Sequence, residues 1–141
     1  GVQNFYTNGS ERMRIDASGN VGIGTSSPTV GKLQVNDGSG ATVAITRTSG
    51  ATSGNLGVIR FGNTDIDSNL ANITAIQDGS TTSSALTFET QSTGGATAER
   101  MRIDSSGNVG IGYNTPDVPL YVNGDAKIIG AYSSTTGFGA N

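Results

Sequence analysis

The chain contains no histidine, no cysteine and no tryptophan, and each absence removes a class of chemistry. Without His, the commonest general base, the commonest transition-metal ligand and the usual pH switch are lost together. Without Cys there is no disulfide and no thiol nucleophile, and the lack of both residues excludes a Ser-His-Asp or Cys-His site outright. Charge is also scarce: 13% of the 141 residues, with a net charge of -3. Only eight residues are Lys or Arg, and four of these, Arg12, Arg14, Arg100 and Arg102, lie in one repeated segment. That leaves no basic stripe to follow phosphates, so nucleic acid is not expected as a partner. No apolar run approaches the roughly 18 to 20 residues of a membrane-spanning helix, and membrane insertion is not expected.

Core-forming side chains are few as well. Hydrophobic residues make up 33% of the chain and aromatics 6%, against 22 glycines. Such a bias is found in disordered segments, but those are usually rich in charge, and the apolar residues here alternate along the chain. Ordering a residue costs roughly 1 to 2 kcal/mol and has to be offset by burial. A thin-cored strand former meets that requirement most simply by pooling apolar faces between copies, so oligomerisation is expected.

What the chain does have is a repeat. Glu11-Arg-Met-Arg-Ile-Asp-Ala-Ser-Gly-Asn-Val-Gly-Ile-Gly24 returns as Glu99 to Gly112 with a single change, Ala17 to Ser105. Pro28 then matches Pro116, and Leu33-Gln-Val-Asn36 matches Leu120-Tyr-Val-Asn123. Upstream, Phe5-Tyr-Thr7 matches Phe88-Glu-Thr90. Repeats of this kind argue for an extended body built from modules. Within each copy, Met13 and Ile15 alternate with polar residues, a turn-forming Ala-Ser-Gly-Asn follows, and Val21 and Ile23 resume the alternation, which predicts an antiparallel hairpin with one apolar face. Asn8-Gly9 predicts a two-residue turn in the hairpin before it, where the second copy has the longer connection from Gln91 to Ala98. Glycine at every second strand position is costly unless another backbone comes close. Gly22, Gly24, Gly110 and Gly112 are therefore expected to face a close backbone, that of a neighbouring chain by preference; local bending of the strand is the alternative.

Between the copies, strands are expected at Ala41 to Arg47 with Val43 and Ile45 inward, Leu56 to Gly62 with Val58 and Phe61, Leu70 to Gln77 with Ile73 and, as a second candidate, Ile76, and Ala85 to Thr90 with Leu86 and Phe88. No apolar stripe of helical period persists, so almost no helix is expected. The organisation reads as a first stem module at 1-38, a middle β-meander domain at 39-87, a second stem module at 88-124 and the start of a further module at 125-141, with both ends expected to continue into something longer.

The motif ERMRIDSSGNVGIG followed by a proline and LxVNG resembles a repeated module of bacteriophage tail fibres and related receptor-binding fibres. The match covers residues 2 to 36 and 88 to 123. The resemblance implies an all-β, elongated homotrimeric fibre of antiparallel hairpins and small β domains wound around a three-fold axis, located on the virion and outside the cell. It implies that Met13, Ile15, Val21, Ile23, Met101, Ile103, Val109 and Ile111 meet at the trimer core. Its partners would be itself as a homotrimer, other tail proteins of the virion, and a host surface glycan or protein. A C-terminal self-cleaving chaperone domain often accompanies such fibres, and nothing resembling it is present in this sequence.

Glu11, Arg12, Arg14 and Asp16, with Glu99, Arg100, Arg102 and Asp104, are expected either as inter-chain ion pairs or as solvated strand-edge charges. Two other readings remain: a bacterial cell-surface or secreted stalk built from the same module, and a glycan depolymerase using carboxylates among Asp65, Asp67, Asp78 and Glu89. Asp65-Ile-Asp67-Ser-Asn69 starts like a calcium loop, but Leu70 stands where the turn glycine belongs and Ile76 where the bidentate Glu belongs. Gly22-Ile-Gly24 lacks the third glycine and the helix of a dinucleotide site. No cofactor, metal or catalytic residue is expected.

Overall fold

A computed structural model describes residues 1–126 of the chain. It is all-β, with ten strands and no helix among the described residues. Two compact units are present, Gly1–Ile45 and Thr46–Asn141. The further module expected to start at 125-141 lies almost wholly outside the described residues.

The first unit is a four-stranded sheet in the order β1 (Gln3–Thr7), β2 (Ser10–Ile15), β3 (Val21–Ile23), β4 (Leu33–Val35). Asn8 and Gly9 both take left-handed backbone angles, φ 50° and 75°, which is the geometry that joins β1 to β2 without splaying a right-twisted ribbon. The next turn is built by an aspartate. Asp16 Oδ1 accepts hydrogen bonds from the backbone N–H groups of Ser18 (2.9 Å) and Asn20 (2.8 Å), and Asp16 N–H donates to Asn20 O (2.9 Å). Asp104 repeats the arrangement with Ser106 and Asn108 at 2.9 and 2.8 Å. The repeated aspartate is thus a turn nucleator, which is why Asp-x-Ser-Gly-Asn recurs as a block.

Beyond β3 the sequence reading needs correction. Strands β3 and β4 pair in parallel, Val21 with Leu33 and Ile23 with Val35, where antiparallel hairpins throughout were expected. A parallel pair requires a crossover, and the segment from Gly24 to Lys32 supplies it by folding back against β3. Pro28 on this crossover is buried. A Cβ placed on Gly22 would lie 2.7 Å from the carbonyl oxygen of Thr25 and 3.5 Å from Pro28 Cβ; one on Gly24 would collide with Asn36 O. In the second copy a Cβ on Gly110 would collide with Tyr113 O, and one on Gly112 would lie 3.4 Å from Asn123 O. Within the structure, the close backbone that these glycines meet belongs to the chain itself: the crossover at Gly22 and Gly110, and Asn36 and Asn123 at Gly24 and Gly112.

The second unit is one six-stranded sheet: β5 (Asn55–Asn63), β6 (Asp67–Gln77), β7 (Ser84–Gln91), β8 (Thr97–Ile103), β9 (Val109–Ile111) and β10 (Leu120–Val122), adjacent in chain order and antiparallel except for the parallel β9–β10 pair. The boundary expected between residues 87 and 88 falls inside β7, and the strands of the middle segment are hydrogen-bonded into the same sheet as the second cassette. No strand forms at Ala41 to Arg47; Val43 and Ile45 are exposed. The alternation there is of strand type, but an extended segment persists only where its backbone groups find a partner, and no strand among the described residues pairs with it. Arg47 instead donates to Ser53 O (3.0 Å), Ala51 O (3.2 Å) and Gln77 Oε1 (3.2 Å), tying its loop to the end of β6.

Both cassettes carry a β-bulge at the same place. Phe5 pairs with Met13 but Tyr6 with Glu11, and Phe88 pairs with Met101 but Glu89 with Glu99, so Arg12 and Arg100 are the extra residues. The bulge brings residues three apart onto one face. Arg14 Nε and Nη2 donate to Glu11 Oε1 and Oε2 at 2.7 and 2.8 Å, and Arg102 does the same to Glu99 at 2.8 and 2.9 Å. These charges pair within the chain, in the bidentate form that is strongest for Arg and carboxylate.

If the glycines exist for the crossover, Gly22→Ala lowers stability by about 1 to 3 kcal/mol in urea unfolding, the usual cost of overpacking. Gly38→Ala, which meets open space, is close to neutral. Equal effects from the two would contradict this role.

Candidate assembly face

Strand registers align the apolar residues into rows. In the first unit one row is Phe5, Met13, Ile23 and Val35, and its neighbour is Ile15, Val21 and Leu33. In the second unit Ile59, Ile73, Phe88, Met101, Ile111 and Val122 form one row across all six strands, and Gly57, Ala75, Leu86, Ile103, Val109 and Leu120 form the next. All eight predicted core residues thus lie on one face of their sheet: Met13, Ile15, Val21 and Ile23 on the first, Met101, Ile103, Val109 and Ile111 on the second. Their row partners Phe5, Leu33, Val35, Leu120 and Val122 were not in that set, although the repeated Leu-x-Val already hinted at the last four.

Within the single chain this face is uncovered. Ile23 is 41% exposed, Ile111 42%, Phe5 51% and Leu33 and Leu120 61%. Most of the buried residues are on the other side: Asn72, Thr74, Thr87 and Ala85, of which Ala85 is the only buried non-proline apolar side chain among the described residues, while Gln77 is buried at the end of β6. Val58, expected inward beside Phe61, pairs with Thr74 and so belongs to this second side, while Phe61 lies on the apolar face and is exposed.

The second side is covered by its own long polar side chains. Arg60 Nε donates to Asn72 Oδ1 (3.3 Å) and Asn72 Nδ2 to Glu89 Oε2 (2.9 Å). Arg102 is paired with Glu99 and lies 3.9 Å from Asp78 Oδ1, while Asp78 Oδ2 accepts the Ser105 backbone N–H at 3.0 Å. Over Gly110 the rings of Tyr113 and Tyr121 stack 4.1 Å apart. Buried polar atoms that are hydrogen-bonded in this way carry little desolvation cost. The exposed apolar rows have no such compensation.

The carboxylates considered for sugar or calcium chemistry are committed elsewhere, apart from Asp65 in the exposed turn after β5. Asp67 accepts the Asn69 N–H (2.8 Å) and the Gln91 side-chain amide (2.9 Å), Asp78 anchors Ser105, and Glu89 accepts from Asn72. Among the described residues no three His, Cys, Asp or Glu side chains cluster to hold a metal ion, and no helix is long and apolar enough to cross a membrane. Compared with known proteins, the chain matches no protein-family model and no curated relative.

Hydrogen bonds to the charged form hold several carboxyls below their ordinary range. For Asp16 the largest contribution is the Asn20 backbone N–H, for Asp67 that of Asn69, and for Asp78 that of Ser105, with Arg102 adding to the last. A pKa lower in the folded chain than in the unfolded one gives stability that is present above the unfolded value and lost as pH falls through the folded value. The melting temperature is therefore expected to stay flat down to about pH 5 and to drop below about pH 4, where carboxylates ordinarily begin to protonate. Asp78→Asn should make that drop shallower. A melting temperature that rises on acidification would contradict this assignment.

Proposed function

We propose that this chain is a structural and adhesive segment of a bacteriophage tail fibre: a homotrimeric shaft, on the virion and outside the cell, that joins to other tail proteins and supports attachment to a host surface glycan or protein. The observation that carries this reading is the exposed apolar face on both cassette sheets, set against a polar face that is already covered. Burying an aliphatic side chain contributes roughly 1.5 to 3 kcal/mol, and a single chain leaves most of that unrealised. Copies that turn these faces toward one another bury Met13, Ile15, Val21 and Ile23 on the first sheet and Met101, Ile103, Val109 and Ile111 on the second. The number three comes from the resemblance of the ERMRIDSSGNVGIG cassette to fibre modules.

In such an assembly the function resides in rigidity, length and multivalency. Three equivalent surfaces act through effective concentration, so individually weak contacts with a host surface add. Loss of the shaft requires copies to separate together, which makes its resistance kinetic.

Light scattering on the purified chain is expected to give about three times 14.2 kDa, and the species should survive mild heating in detergent. Ile23→Asp and Ile111→Asp place a charge on the shared face and should each shift the mass toward the monomer. A folded monomer of 14.2 kDa for the unaltered chain would sink the proposal.

A further inference from the structure

We infer that the strands between the cassettes, β5 to β7, are part of the subunit interface, and that what covers Ile59, Ile73, Leu86 and Phe88 is the same face of a second copy of this chain. The inference rests on the trimeric reading above and extends it to a region that the sequence marks out as a separate domain.

Three observations carry it. The first is continuity. The row that begins at Met101 and Ile111 in the cassette runs without a break through Phe88 and Ile73 to Ile59, because β5 to β8 share one hydrogen-bonded register. An interface on the cassette rows cannot end at β8 without leaving the same row exposed on the next three strands.

The second is the chemistry of the face. The two central rows contain no charged residue and no polar side chain, from Gly57 to Leu120 in one and from Ile59 to Val122 in the other. A dissimilar partner is ordinarily selected by charge or hydrogen-bond complementarity, and these two rows offer neither. It does offer relief. Large residues at Ile59, Ile73 and Phe88 are flanked by small ones at Gly57, Ala75 and Ala71, so projections and depressions lie side by side and an identical face can interdigitate with it.

The third is extent. Ile59, Phe61, Leu86, Ile103, Ile111 and Leu120 are each between 36% and 61% exposed. Together they leave on the order of 500 Å² of apolar surface, at the upper end of what a monomeric protein presents as one patch. The cassette rows alone would supply about half of it, well short of the roughly 800 Å² per partner of a stable interface. Adding β5 to β7 about doubles the apolar area that the cassette rows supply.

The chain has no cysteine, so single-cysteine variants of the full chain report one position at a time. Ile59→Cys and Phe88→Cys test the inferred extension, Ile111→Cys tests the cassette face, and Arg60→Cys, on the opposite side of β5, serves as the free reference. Each is reacted with a maleimide probe under native conditions while light scattering records the mass. The expected result is a trimer in which the thiols at positions 59, 88 and 111 react at least tenfold more slowly than the thiol at position 60, with all four equal in denaturant. A trimer that protects position 111 but leaves 59 and 88 as reactive as 60 would overturn the extension and leave the trimeric reading standing. A monomer would overturn both, including one in which positions 59 and 88 are protected, since another part of the same chain would then be the cover.

Discussion

The rest of the structure depends on one inversion: the faces of its sheets are exposed the wrong way round for a solitary chain. Thr74 and Thr87 are each 1% exposed while Ile59 and Phe61, on the strand beside them, are about half exposed. A sheet with one wet side normally buries its apolar face. Here the polar face is sealed by Arg60, Asn72, Glu89, Glu99 and Arg102 lying across it in hydrogen-bonded pairs. Under the proposed assembly, thin composition, abundant glycine and scarce charge follow as properties of a chain whose core is completed by other copies.

The cassette is the device that produces this polarity. Its aspartate closes the turn, its bulge aligns Glu11 with Arg14, and its crossover folds over the glycine side of β3, with Pro28 buried. Each element occupies the polar side, so that Met13, Ile15, Val21 and Ile23 are left unobstructed on the other. The second copy does the same with Asp104, Glu99, Arg102 and Pro116, and replaces Thr25 and Gln34 by the stacked Tyr113 and Tyr121. Glycine at positions 22 and 110 yields space to the chain's own loop, so the repeated Gly-x-Gly has a cause in internal packing.

Much of the fold was legible from residue order. Period-two alternation located β2, β3, β5 to β9 and the apolar face of each cassette, and Asn8-Gly9 located its turn, since these are local signals with local causes. The parallel β3–β4 pair was not legible, because strand direction depends on where a loop returns and short Leu-x-Val segments look the same either way. Ala41 to Arg47 misled for the opposite reason: alternation states that a segment can be a strand and says nothing about whether an edge is available to it. The ion pairs were missed because residues three apart normally point to opposite faces of a strand, and only the bulge reverses that. The middle segment was separated from the second cassette because the repeat match begins at Phe88, whereas the hydrogen-bonded register continues through it.

Taken together, the exposed rows support a body that exists to be assembled, with attachment to a host as the proposed outcome of that assembly. The most direct test is a structure of the assembled species by electron cryo-microscopy. The account predicts a three-fold axis with Ile23 and Ile111 in van der Waals contact with neighbouring copies and the Arg102–Glu99 pair facing outward. Apolar rows that face solvent, or that are covered only by the chain to which they belong, would contradict it.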